Sequence, residues 1–75
     1  MNESIENRLD RVLRETFGLE TVPADLSQKN CAAWDSVNHL NLVLALEAEF
    51  GLTLEPEQIS ALRSRADALE ILRTA

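Results

Sequence analysis

Asp35-Ser36-Val37-Asn38-His39-Leu40-Asn41-Leu42-Val43-Leu44-Ala45-Leu46-Glu47-Ala48-Glu49-Phe50-Gly51 is the stretch that decides the fold. Asp35 is a favoured N-cap residue, because a short carboxylate can accept from backbone N–H groups that the first helical turn leaves unpaired. Gly51 stands where a helix stops readily in a left-handed turn. The spacing predicts a helix over 36–50. At about 100° per residue, Leu42, Val43, Leu46 and Phe50 share one sector. Val37, Leu40 and Leu44 share another, well over a quarter turn away. One sector must face a core. The second either fills the remaining gap between helices or is exposed and binds something.

Upstream, residues 4–17 carry Ile5, Leu9, Val12, Leu13 and Phe17 at steps that fall on one helical face. Glu3, Glu6, Asp10 and Glu15 alternate with Arg8, Arg11 and Arg14 on the other. Asp10 to Arg14 and Arg11 to Glu15 are opposite-charge pairs one turn apart, each worth a few tenths of a kcal/mol, and the face reads as solvated. Gly18 is placed as a C-cap. Residues 19–34 have no sustained period and form a long polar loop, which Leu19, Val22 and Leu26 can pin to the core.

Downstream, Pro56 suits the first turn of a short helix. Ser64-Arg65-Ala66-Asp67 resembles a capping box opening a last helix, with Asp67 in place of Glu. That helix carries Leu69 and Leu72, with Ile71 off to one side. No stretch alternates as a strand would. The expected fold class is all-α, a small four-helix bundle of three principal helices and one short helix, with a long first loop.

Seventy-five residues suffice for a single domain over 1–75. Apolar residues make up 45% of the chain and charged residues 27%, a globular balance that excludes wholesale disorder. A net charge of −6 argues against nucleic acid and against anionic membranes as partners, and favours basic partner proteins. One cysteine, Cys31, excludes an internal disulfide and a multi-Cys zinc site. The lack of disulfide staples and the polar, acidic start fit a cytoplasmic protein. The chain reads as a whole small protein, and a domain excised from a larger synthase and given a start codon would read the same.

Ser36 follows the cap of the central helix, where side chains are exposed and the helix dipole favours an anion, including a phosphate ester on a hydroxyl. No base stands beside it, since His39 projects toward the core-facing sector. Ser36 therefore reads as an acceptor of modification and not as a nucleophilic catalyst. Cys31 reads as a small buried hydrophobe, His39 as a packing residue and Trp34 as an anchor of the loop. Glu47 and Glu49 diverge from one helix and cannot act as paired carboxylates. A calcium loop starting at Asp35 fails, because Leu40 stands where glycine is needed, and no metal site is expected.

The segment Trp34–Gly51 resembles the signature of acyl carrier proteins. In that family an Asp-Ser-Leu triplet opens the second helix, which ends on Leu-Glu-x-Glu-Phe. Asp35-Ser36 and Leu46-Glu47-Ala48-Glu49-Phe50 match. Length, acidity, the long first loop and the order of helices extend the resemblance over nearly the whole chain. It implies a non-catalytic carrier of acyl-carrier fold. Ser36, beside Asp35, would carry 4′-phosphopantetheine delivered from coenzyme A by a phosphopantetheinyl transferase. An acyl group would be held as a thioester and shown to acyl-loading and acyl-processing enzymes. Val37, Leu40, Leu44 and Glu47 would form the partner-facing surface of a monomer. Val37 departs from the usual Leu, and Asn41 and Ala48 stand where carriers of primary fatty-acid synthesis often have acids. The thinner acidic stripe points to a dedicated lipid, polyketide or other specialised pathway. Ala32-Ala33-Trp34-Asp35 replaces the Gly-Gly-x-Ser lead-in of peptidyl carriers, which lowers an aminoacyl cargo to an alternative, beside an unmodified interaction module.

Overall fold

Every helix begins or ends on a residue whose chemistry requires it to. The structure, a computed structural model, describes residues 4–74 and places helices at Ile5–Phe17 (α1), Ser36–Phe50 (α2), Pro56–Ala61 (α3) and Arg65–Thr74 (α4). Ser4 caps α1 by accepting from the Asn7 N–H at 3.1 Å. Asp35 caps α2 by accepting from the Asn38 N–H at 2.8 Å. Gly18 and Gly51 close α1 and α2 at φ 66° and 63°, the left-handed region that glycine tolerates. Pro56 opens α3, and the Gln58 side chain accepts from the Glu55 N–H at 2.8 Å. Among the described residues no strand forms, only an isolated antiparallel bridge between Ser27 and Ser64.

The core is the shared interior of α1, α2 and α4. Leu9, Val12, Leu13 and Phe17 of α1 meet Leu42, Val43 and Leu46 of α2. Ala68, Leu69, Ile71 and Leu72 enter from α4. Two expectations need correction. Ile71 is buried and not set aside: Ala68, in the middle of that sector, is small enough for α4 to sit close and cover both flanks. Ile5, on the expected apolar face of α1, is exposed near the open end of that helix.

The last capping box forms only in half. Ser64 Oγ accepts from the Asp67 N–H at 3.0 Å, while Asp67 Oδ2 accepts from Arg63 N at 3.2 Å. The loop over 18–35 is tied down as well as pinned. Leu26 is buried, and Leu19 and Val22 pack against the core. The Gln28 N–H donates to Arg63 O at 3.0 Å, and the Arg65 N–H donates to Leu26 O at 2.8 Å. These bonds seat the loop on the turn before α4. Cys31 is buried, as a small hydrophobe would be.

The charged side of α1 does more than face solvent. Asp10 takes Arg65 of α4 at 2.7 Å, and Glu6 takes Arg73 at 3.1 Å. Arg8 and Arg11 reach Glu49 of α2 at 2.9 and 3.1 Å. Glu3, counted with this face from the sequence, lies outside the described residues. Arg8 also donates to the Glu49 carbonyl and lies over the Phe50 ring, 4.5 Å from its centroid. A cation there meets the carbonyls that the last turn of α2 leaves unpaired, and so complements the helix dipole.

The Arg8 hydrogen bond, helped by the charge of Arg11, holds the Glu49 carboxyl below its ordinary value of 4.5 against a smaller opposing effect of desolvation. A carboxylate depressed on folding stabilises the native state above its unfolded value, and that contribution is lost as pH falls through the folded one. Glu49→Gln is therefore expected to flatten the acid limb of the stability curve below the ordinary 4.5. Urea melts from pH 6 to pH 3 check this; an unchanged acid limb would remove Glu49 from the account.

Candidate functional site

The start of α2 combines an exposed hydroxyl, a fixed backbone and an apolar stripe. Asp35 and not Ser36 performs the capping, so Ser36 stands exposed in the first turn with its hydroxyl outside the cap. Asn38 fixes the entry to the helix from the other side. Its Nδ2 donates to Ala33 O at 2.8 Å, and its Oδ1 accepts from Asn41 Nδ2 at 3.1 Å. Nothing in the helical pattern singled out Asn38, because its partner lies in the loop.

Trp34 and His39 stand behind Ser36. Trp34 is buried against Phe17, ring centroids 5.0 Å apart, and so anchors the loop. Its Nε1–H donates to His39 Nδ1 at 3.0 Å. An indole nitrogen can only donate, so Nδ1 must be bare. The imidazole hydrogen then sits on Nε2, which donates to Ile59 O at 3.0 Å. Both nitrogens are engaged, and neither serves as a base for Ser36.

A depression of about 600 Å³, open to solvent, is lined by Gln28, Trp34, Asp35, Ser36, His39 and Leu40. Val37, Leu40 and Leu44 run along α2 from it and are 69%, 60% and 64% exposed. Their sector is therefore the outward one, and the sector of Leu42, Val43 and Leu46 the inward one. Phe50, grouped with the inward sector, is half-buried beneath Arg8. Glu47 is also half-buried, and its Oε2 accepts from the Leu54 N–H at 2.9 Å. The expected partner-facing residues thus separate into three open apolar side chains and one carboxylate that staples the turn before α3.

No family model matches the chain. It is 33% identical over 73 residues to acyl carrier protein 2 of Pseudomonas aeruginosa, covering 91% of this chain and 92% of that protein. The chain belongs to the acyl carrier protein family. Its four helices and lack of strands among the described residues agree with that membership, and its general role is that of a carrier.

Among the described residues no three His, Cys, Asp or Glu side chains gather in a way that could hold a metal. Nor is any helix among the described residues long and apolar enough to cross a membrane. At the start of α2 this carrier exposes the Ser36 side chain and the three apolar side chains that follow it.

Proposed function

We propose that this carrier holds an acyl intermediate as a thioester on a 4′-phosphopantetheine arm attached to Ser36. The observation that carries the reading is the exposed Ser36 hydroxyl at the N-terminus of α2, with Asp35 taking the cap in its place. The residues fit the group. A phosphodiester on Ser36 would sit at the positive end of the α2 dipole. The open depression beside it leaves room for an arm to leave the surface without displacing core residues. Attachment forms a bond from Ser36 Oγ to the phosphorus of the pantetheine phosphate and breaks the diphosphate linkage of coenzyme A. Adenosine 3′,5′-bisphosphate leaves, and the hydroxyl proton passes to the transferase.

The protein itself catalyses nothing in this reading. A phosphopantetheinyl transferase and acyl-loading and acyl-processing enzymes dock on Val37, Leu40 and Leu44, with Glu47 contributing more to the turn than to the contact. The carrier works as a cytoplasmic monomer in a specialised lipid, polyketide or related pathway. A flexible arm raises the effective concentration of cargo once a partner has docked. The test is the intact mass of the protein before and after coenzyme A, magnesium and a broad-specificity transferase. A gain of one phosphopantetheine supports the reading. No gain from a folded sample with several transferases overturns it and favours an unmodified interaction module.

Leu40→Asp tests the docking stripe. Leu40 is exposed, so the fold should survive. Losing one apolar anchor and burying a charge at an interface should lower the kcat/KM of the transferase about tenfold or more. Unchanged kcat/KM would place the docking surface elsewhere.

A further inference from the structure

α3 is held differently from the other helices. Its six residues contribute no buried side chain. Burial occurs instead on either side, at Leu54 and Leu62, with Ile59 packed part-way against the core. Two side chains of α2 supply the polar ties. Glu47 accepts from the Leu54 N–H ahead of α3, and His39 donates to the Ile59 carbonyl within it. His39 also accepts from Trp34, whose ring lies against Phe17. One imidazole therefore joins the long loop, α2 and α3 at a single point, and that point lines the depression beside Ser36.

We propose that His39 is a positioning residue that latches α3 and Trp34 to the Ser36 end of α2. It thereby closes the seam between α2 and α3, so that an acyl chain carried on Ser36 stays outside the core. The cargo half of this inference rests on the arm at Ser36 proposed above. An apolar chain entering the seam must separate Ile59 O from the imidazole N–H, leaving that half-buried N–H against hydrocarbon without its acceptor, while Ile59 O keeps only the Leu62 N–H at 3.3 Å. Behind them the space is filled by Leu42, Leu46 and Leu62, each essentially fully buried. A close-packed interior admits a guest only by moving its own side chains. The cargo class that suits such a carrier is an acyl group that needs no shelter, either short or bearing hydroxyl, amino or carboxyl substituents.

The test has two arms. In the unmodified protein, amide hydrogen exchange at Ile59 and Leu62 is compared with that at Leu13 and Val43. His39→Ala should raise the α3 rates about tenfold relative to the α1 and α2 rates. Trp34→Phe, which removes the indole N–H but keeps Ile59 O within reach of His39, should leave that ratio near its original value. Rates that rise together in all helices, or an unchanged α3 ratio in His39→Ala, would overturn the latch. In the second arm a transferase and octanoyl-coenzyme A place an octanoyl arm on Ser36. The methyl resonances of Leu46 and Leu62 should stay put in the original protein and shift in His39→Ala. Core shifts in the original protein on loading, or none in the variant, would overturn the closure. Failure to load any variant overturns the Ser36 reading and the cargo half with it, while the exchange ratios still judge the latch.

Discussion

Ser36→Ala is expected to abolish the coenzyme A-dependent mass gain completely and to change stability by less than about 0.5 kcal/mol. The separation follows from the division of labour at the start of α2. The cap bond runs from the Asn38 N–H to Asp35, so the serine hydroxyl supports no helix. Its side chain is exposed, so truncation leaves no cavity. Asp35→Ala is the contrast: it removes the cap and should cost about 1 kcal/mol. Ser64 Oγ and Ser27 Oγ, by contrast, already accept from the Asp67 and Lys29 N–H groups. Continued modification of Ser36→Ala would move the arm to another residue. Loss of modification together with loss of fold, read by circular dichroism, would leave Ser36 without its special standing.

How far the sequence reaches is set by the range of each interaction. α2 was legible over its full length because its start and stop signals, Asp35 and Gly51, act on neighbouring residues. The existence of two apolar sectors was legible from the helical period, but not which of them faces inward. That choice depends on where α1 and α4 lie, and local periodicity carries no information about it. The interhelix ion pairs were out of reach for the same reason. Arg8 and Arg65 find partners 41 and 55 residues away, whereas the pairs visible in the sequence are one turn apart. Ile71 illustrates a subtler limit. A window over α4 gives its apolar direction, but the width of the buried sector depends on how closely Ala68 lets the helix approach. Ser36 was singled out by position and resemblance. The engagement of His39 with both Trp34 and Ile59 needed the fold, because Ile59 lies 20 residues away.

Trp34→Ala is expected to be the most destabilising single change near the site, by about 3–5 kcal/mol. A domain of 75 residues has about 4–11 kcal/mol of stability in all, so this one change removes much of it and should lower Tm by more than about 12 °C. Three losses combine. The buried ring leaves a void against Phe17, whose centroid lies 5.0 Å from its own. His39 Nδ1 loses its donor. The loop over 18–35 loses its largest buried side chain, next to α2. Trp34→Phe separates most of these contributions: it keeps a smaller aromatic ring against Phe17 and removes the donor, at a cost of about 1–3 kcal/mol. Thermal and urea melts of both variants measure the difference. If Trp34→Ala costs no more than Trp34→Phe, the indole ring is not what holds the loop, and the hydrogen bond to His39 is the anchor. If Trp34→Ala costs the larger amount, Ser36 is presented from a surface whose order depends on one buried ring behind it. Modification by the transferase should then fail at the temperature where Trp34→Ala melts, well below the temperature at which the original protein stops accepting the arm.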